Sequence, residues 1–380
     1  MQMQNEMNHV SNSTEEFVVF GDSGRTIMAN VTNMKILVKI SHWICLFPLN
    51  MDTSKNKPVF KLGKKCYFAR VVLLDSIIVA CIVKNCYDTL ESNMSLKNMV
   101  FVFCSFPLVI AILEVQIVGF LNRTKYAKLI MTLSSIEANL NKRTDDPGNY
   151  TILVQLILIF CSFLYLFIVY FVCYEVDEAV VLTFGYTLSK FMIFISSCIC
   201  ISFLKIIRDN FRKLSELLLS SDHLVSIFYI YLDLVFVCKK INKLFGRQLL
   251  LTILIYFVWT IYEIYHLVIL WPCDSCPRFL IALALSHTII QESLLFAIMW
   301  SCQSTQRESN RFKAVWYSKL SRKMCKFNQN RIDKCSLKLI HHNVVFTAMG
   351  LYVLDLKQFF SMLGSLVTLM VILTQFSTTV

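Results

Sequence analysis

Seven apolar runs, each long enough to cross the roughly 30 Å hydrocarbon core of a bilayer, decide what this chain can fold into. They fall at Tyr67 to Tyr87, Met99 to Leu121, Tyr150 to Cys173, Val180 to Ile207, Gln248 to Trp271, Phe279 to Cys302 and Leu356 to Phe376. With 56% hydrophobic residues, 16% charged residues and a mean hydropathy of +0.59, the chain carries more apolar surface than a water-soluble interior can hide. A barrel would need strands alternating apolar and polar residues with frequent turns. The 30 phenylalanines beside only 9 glycines and 6 prolines favour uninterrupted helices. The expected fold class is an all-α membrane protein of seven transmembrane helices.

One further apolar run, Leu224 to Cys238, is broken by Asp233 and closed by Lys239 and Lys240. Its apolar positions Leu224, Ile227, Phe228, Tyr231, Leu234, Cys238, Ile241 and Phe245 recur at steps of three and four, the mark of one packed helix face rather than an eighth span. This stripe is expected to continue the fourth span as a long helix and to pack with the basic segment between Gln303 and Asn343. Together they would form a cytoplasmic helical anchor bundle.

Basic residues set the orientation. Lys35, Lys39, Lys64, Arg123, Lys125, Arg212, Lys213, Lys239, Lys240, Arg322 and Lys323 all fall on one side of the spans, whereas the opposite loops hold Lys97, Arg278 and the acidic Glu175, Asp177 and Glu178. The positive-inside rule then places the amino terminus in the cytoplasm and the carboxyl terminus outside. The net charge of +12 is thereby explained by topology, without a nucleic-acid partner. In the same frame Asn93, within Asn93-Met94-Ser95, is the sequon facing the lumen, and Asn12, Asn30 and Asn122 stay bare.

The expected organisation is a mobile cytoplasmic tail over 1–33, an interfacial helix over 34–49 and spans one to four within 67–207. A helical extension over 208–247 precedes spans five and six within 248–302. A basic helical segment over 303–355 leads into the last span at 356–376.

Ionisable residues inside spans are costly and mark candidate sites. Lys190 lies in the outer half of span four, Glu263 and His266 in the outer half of span five, and His287, Gln291 and Glu292 near the middle of span six. With Tyr186 and Tyr262 they have the make-up of an apolar, aromatic-walled pocket holding a few polar groups, suited to a small-molecule ligand. A second reading stays open, in which Lys190 pairs with Glu263 or Glu292 only to hold the bundle together. Asp75, and Glu114 with Gln116 near a kink expected after Pro107, take structural roles.

Along the last span Ser361, Ser365, Thr368, Ile372 and Gln375 share one stripe, with Gly364 beside it. Small polar residues interrupted by one Ile suit the wall of an aqueous pathway with a hydrophobic constriction. Close helix packing uses the same residues and is the alternative. One helix cannot enclose a pore, so the channel reading requires an oligomer about this span. Cys273 and Cys276, in an outer loop, could bridge each other or reach Cys86 or Cys173. The chain lacks a metalloprotease helix motif, a phosphate-binding glycine loop and a nucleophile elbow, so neither an enzyme, a cofactor nor a metal is expected.

The run from Thr368 to Phe376, Thr-Leu-Met-Val-Ile-Leu-Thr-Gln-Phe, resembles the TYhhhhhQF signature that ends the last helix of insect gustatory receptors. Leu369 stands where the family has Tyr, and Thr374 where an apolar residue is usual. Gly350, Leu351 and Asp355 are similar to the family's approach to that helix. The resemblance implies a tastant-gated, non-selective cation channel of the plasma membrane of gustatory neurons. It implies a homo- or hetero-tetramer with a pore lined by the last helix, and Gln375 and Phe376 at the gate. An odorant receptor subunit is the nearest alternative. A G-protein-coupled receptor, which commonly carries an Asp-Arg-Tyr triplet, and a transporter built from paired repeats fit less well.

Overall fold

The computed structural model describes residues 17–18, 42, 49–52, 59–62, 65–92, 96–141, 185–186, 188–220, 223–270, 278–323 and 329–378. Span three at 150–173, the sequon Asn93, the loop cysteines Cys273 and Cys276, and most of the 1–33 and 34–49 segments lie outside these residues.

The helices are α1 (Lys65–Ser92), α2 (Leu96–Leu113), α3 (Arg123–Asn141), α4 (Leu188–Ser220), α5 (Leu224–Leu270), α6 (Arg278–Lys323), α7 (Gln329–His341) and α8 (Leu356–Thr378). At about 1.5 Å per residue, the 47 residues of α5 extend roughly 70 Å, more than twice the bilayer core. The 46 residues of α6 reach as far. Both helices are therefore long enough to cross a bilayer core and extend well beyond it. Their stretches at the basic end of the bundle pack with α3, the end of α4 and α7.

All eight residues of the stripe from Leu224 to Phe245 are buried. The charges that interrupt it, Asp233 and Lys239, sit exposed on the opposite face of the same helix. The stripe does not, however, continue span four. Helix α4 ends at Ser220 and α5 starts afresh at Leu224, so the proposed 208–247 extension is two helix ends from different spans. The polar stretch Ser220-Ser221-Asp222-His223 separates the two apolar patterns, whereas nothing between Cys238 and Gln248 stops a helix. The core here is aromatic. Tyr231 stacks on Phe312 with ring centroids 4.5 Å apart, and its hydroxyl lies 3.1 Å from Ser309 Oγ. Trp316 packs on Phe228 and donates to Ser336 Oγ at 3.2 Å. Each such ring buried contributes on the order of 1.5–3 kcal/mol.

Two small sheets depart from the sequence expectation. Strands β1 (Phe17–Val18), β2 (Leu49–Asp52) and β3 (Val59–Leu62) form an antiparallel sheet in the order β1-β3-β2, with Phe17 opposite Lys61 and Leu49 opposite Leu62. The segment read as a mobile tail thus contributes a strand, for which the β-favouring run Phe17-Val18-Val19-Phe20 is the physical cause. Leu49 belongs to that sheet rather than to the end of an interfacial helix. His42 stacks on Tyr67 at 5.1 Å, against the start of α1.

The 303–355 segment is likewise not helical throughout. It holds the end of α6, then α7, then a hairpin of β4 (Thr347–Ala348) and β5 (Tyr352–Val353). Met349 and Gly350, at φ 53° and 79°, supply the left-handed turn that closes it. Asn242 of α5 holds the hairpin at Thr347 of β4, donating to Thr347 Oγ1 at 3.2 Å and accepting from Thr347 N at 2.9 Å. Asp355 then caps α8, its carboxylate accepting from Gln358 N at 2.8 Å.

Helix assignment runs unbroken through Pro107. The irregularity comes later, as a π-helical turn at Glu114–Val118, and the chain bends by 70° between the segments ending at Leu121 and starting at Arg123. Glu114 on this turn pairs with Arg247 of α5 at 2.9 Å. Gln116, with its amide oriented to donate, reaches Asp75 of α1 at 2.6 and 3.1 Å. The structural roles expected of these residues match this geometry.

Candidate functional site

Two places collect the residues singled out above. The first lies where α4, α5 and α6 run side by side away from the basic end. Glu263 of α5 is buried, and three neighbours reach its two oxygens. Lys190 Nζ of α4 approaches Oε1 at 3.5 Å, Gln291 Nε2 of α6 donates to Oε1 at 3.2 Å, and Thr288 Oγ1 donates to Oε2 at 2.7 Å. Glu292 does not share Lys190 but accepts from Thr260 Oγ1 at 2.8 Å. Of the two partners the sequence offered Lys190, the fold selects Glu263.

Aromatic rings frame this pair. Lys190 Nζ sits 4.0 Å from the Trp259 ring centroid, a cation–π contact that further offsets its burial. Tyr186 and Tyr262 each meet Trp259 edge-on, at 5.8 and 5.5 Å. The Tyr186 hydroxyl lies 2.9 Å from Ser105 Oγ of α2, linking the cluster to a fourth helix. Tyr186, Lys190, Tyr262, Glu263 and Gln291 are therefore brought together in one cluster. His266 and His287 lie on α5 and α6, with side chains outside the described residues. Sequence reading missed Trp259, Thr260, Thr288 and Ser105. Trp259 sits four residues before Glu263, and Thr288 three before Gln291, so helical spacing would have found both.

The second place is α8, which among the described residues packs chiefly against α5 and α6. Phe359 and Leu366 face inward and are buried, while Phe360, Val367 and Val371 form an exposed apolar face. Ser361, Ser365, Thr368, Ile372 and Gln375 occupy a separate exposed face, roughly one quadrant of the helix at ~100° per residue. Phe376 lies on the same helix, its side chain outside the described residues. Ser365 Oγ donates to Ser361 O at 3.1 Å and Thr368 Oγ1 to Gly364 O at 3.0 Å, so these hydroxyls are tied to their own helix. A Cβ added to Gly364 would meet nothing within 4 Å. Among the described residues, then, the exposed small residues of α8 are not in close packing contact.

The profile of a family described as 7tm chemosensory receptor matches residues 34–379. The insect olfactory receptor OR5 from Machilis hrabei is similar at 12% identity with a TM-score of 0.61, over 90% of this chain and 97% of that one. The same receptor in complex with eugenol is similar at 12% identity with a TM-score of 0.56, over 93% and 100% of the two chains. At such identity the likeness is one of fold. No curated protein sequence matches the chain. A family profile spanning nearly the whole chain leads to one conclusion: this chain belongs to the seven-transmembrane insect chemosensory receptors, a family of ligand-gated channels and not of enzymes.

Proposed function

We propose that the chain is a gustatory receptor subunit, a tastant-gated, non-selective cation channel of the plasma membrane of gustatory neurons. Four subunits, alike or mixed, surround a pore lined by α8, with the basic end of the bundle and the amino terminus in the cytoplasm. The observation that carries this reading is the exposed stripe of Ser361, Ser365, Thr368, Ile372 and Gln375. A stripe of polar side chains facing lipid carries a cost that bonds to its own helix offset only in part. Facing a shared axis they would border water, and Ile372 would narrow the path to a hydrophobic constriction.

The cluster around Glu263 is the proposed ligand site. Its aromatic rings offer apolar contact, while Gln291 and Thr288 are neutral donors that a ligand acceptor could recruit without unpairing Lys190. That Machilis hrabei OR5 has been seen in complex with eugenol supports a small molecule as the ligand. A ligand that prefers the open arrangement of α4 to α6 would shift the α8 equilibrium by its differential affinity.

The test is current recording from cells expressing the chain alone and with candidate partner subunits, against a tastant panel. Substituting Gln375 or Phe376 should alter conductance or resting leak, and substituting Gln291 should shift the agonist dose response. Unchanged currents from Gln375 and Phe376 variants in a working receptor would remove the gate assignment. Orientation is tested separately, since Asn93 should carry glycan and a tag on Met1 should be readable only after permeabilisation.

An odorant receptor subunit is the second reading, favoured by the olfactory identity of the fold neighbours. It predicts currents only when a shared co-receptor is supplied, and responses to volatile rather than water-borne ligands.

A further inference from the structure

At the basic end, α3, α5 and the β4–β5 hairpin line a half-open pocket of about 540 Å³. Five cationic side chains line it: Lys125, Lys128, Lys240, Lys243 and Arg247. Among its described lining residues there is no carboxylate. The acid nearest in contact, Glu114, is engaged by Arg247 at 2.9 Å. Neutral hydrogen-bonding groups complete the wall, from Asn122, Asn242 and Thr347. Lys125 is held toward this wall by donating to Asn122 Oδ1 at 2.8 Å.

The charge balance specifies the occupant. Five like charges gathered around one half-open pocket, of which only Arg247 is paired with an acid, repel one another, and a single monovalent anion would leave most of that repulsion in place. A ligand with several phosphates would neutralise it through charge-assisted hydrogen bonds. The volume lies within the ~300–1,000 Å³ of small-molecule sites, and the amides and hydroxyl suit a polyol ring between the phosphates. The depth is also informative. Asn122 closes the second span and Arg247 directly precedes the fifth, so the cavity lies at the level where helices leave the hydrocarbon.

We propose that this cavity binds a polyphosphorylated inositol anion, supplied either as the headgroup of a membrane lipid or as the soluble inositol phosphate. Thr347 and Gly350, which line it, belong to the hairpin that leads within a few residues to α8 at Leu356. An occupied cavity would hold that hairpin against α5 and so bias the last helix. This regulatory consequence rests on the channel reading given above, whereas binding does not.

Binding is therefore measured directly, on the purified full-length receptor in phosphatidylcholine nanodiscs. Labelled inositol trisphosphate is titrated in one arm, and phosphatidylinositol bisphosphate is incorporated into the discs in the other. Saturable binding in either arm supports the site, and which arm responds identifies the source. Lys125→Gln combined with Lys243→Gln should weaken binding about tenfold or more, while Lys125→Arg with Lys243→Arg should retain it. Lys334→Gln with Lys338→Gln removes the same charge from α7, outside the cavity, and should leave affinity unchanged. All variants should elute as the parent receptor does. Absence of binding in both arms, or an equal loss in the α7 control, would overturn the proposal. No current enters the readout, so failure here is separable from failure of the pore assignment.

Discussion

Helices α4 and α8 carry the same kind of residue and use it in opposite ways. On α4, Ser189, Ser196, Ser197, Ser202 and Ser215 are all buried, and Ser196 accepts from Gln248 Nε2 of α5 at 2.6 Å. On α8, Ser361, Ser365 and Thr368 are exposed. In both helices hydroxyls return a hydrogen bond to the carbonyl four residues back, as Ser197 does to Ile193 O at 2.9 Å and Thr368 to Gly364 O at 3.0 Å. That bond makes a hydroxyl tolerable in an apolar medium, so its presence says nothing about water. What distinguishes the helices is whether a neighbour covers the stripe. Small residues on α4 let α5 and α6 approach closely, which is ordinary membrane-helix packing. On α8, among the described residues, Ser361, Ser365 and Thr368 stay exposed.

The contrast can be broken most severely at the ion pair beside α4. Glu263→Ala would leave Lys190 buried without its counter-charge, which costs roughly 3–5 kcal/mol. The expected result is loss of correctly folded receptor, read as surface expression and detergent-extracted monodispersity. Recovery to near-parent levels in the Glu263→Ala, Lys190→Met double variant would confirm that the cost is the stranded charge. Packing at the anchor end should come next. Tyr231→Ala removes a buried ring stacked on Phe312 and should cost about 3–5 kcal/mol, whereas Tyr231→Phe loses only a hydrogen bond and about 1 kcal/mol. Burial also pushes the Tyr231 hydroxyl up to about 12. The sign follows: the folded state holds the proton more tightly than the unfolded chain, whose tyrosines ionise near 10. Stability contributed by the neutral hydroxyl is complete below pH ~10 and is lost as pH rises toward ~12. Thermal melts across that window should show a decline that Tyr231→Phe lessens. The smallest effect on stability belongs to α8. Ser365→Val should change subunit stability by no more than about 0.5 kcal/mol while altering conductance or leak. A melt shifted as far as that of a buried α4 serine variant, Ser197→Val, would place the α8 stripe in packing after all.

Much of the fold was legible because membrane spans and packed stripes are local patterns. Eight apolar residues at helical spacing, from Leu224 to Phe245, identified a buried face without reference to any neighbour. Its attachment to α5 rather than α4 depended on reading Ser220 to His223 as a helix stop, a weaker signal than periodicity. The β4–β5 hairpin was missed because each of its strands is two residues long and is held by Asn242, far away in the chain. At the candidate site, buried ionisable residues announced themselves by cost. Trp259 did not, since an aromatic ring in a span has many uses. The basic cavity was the least legible feature, because its walls come from three distant stretches and each lysine alone reads as part of the topology signal.

The central claim is that the polar face of α8 borders water in the assembled receptor. Its most direct test is a cysteine pair, Ser365→Cys and Leu366→Cys, exposed during agonist application to a membrane-impermeant thiol reagent and compared with the parent receptor. The account predicts that Ser365→Cys currents are progressively blocked while those of Leu366→Cys, on the buried face, are not. Block of Leu366→Cys with Ser365→Cys untouched, in receptors that both conduct, would contradict it.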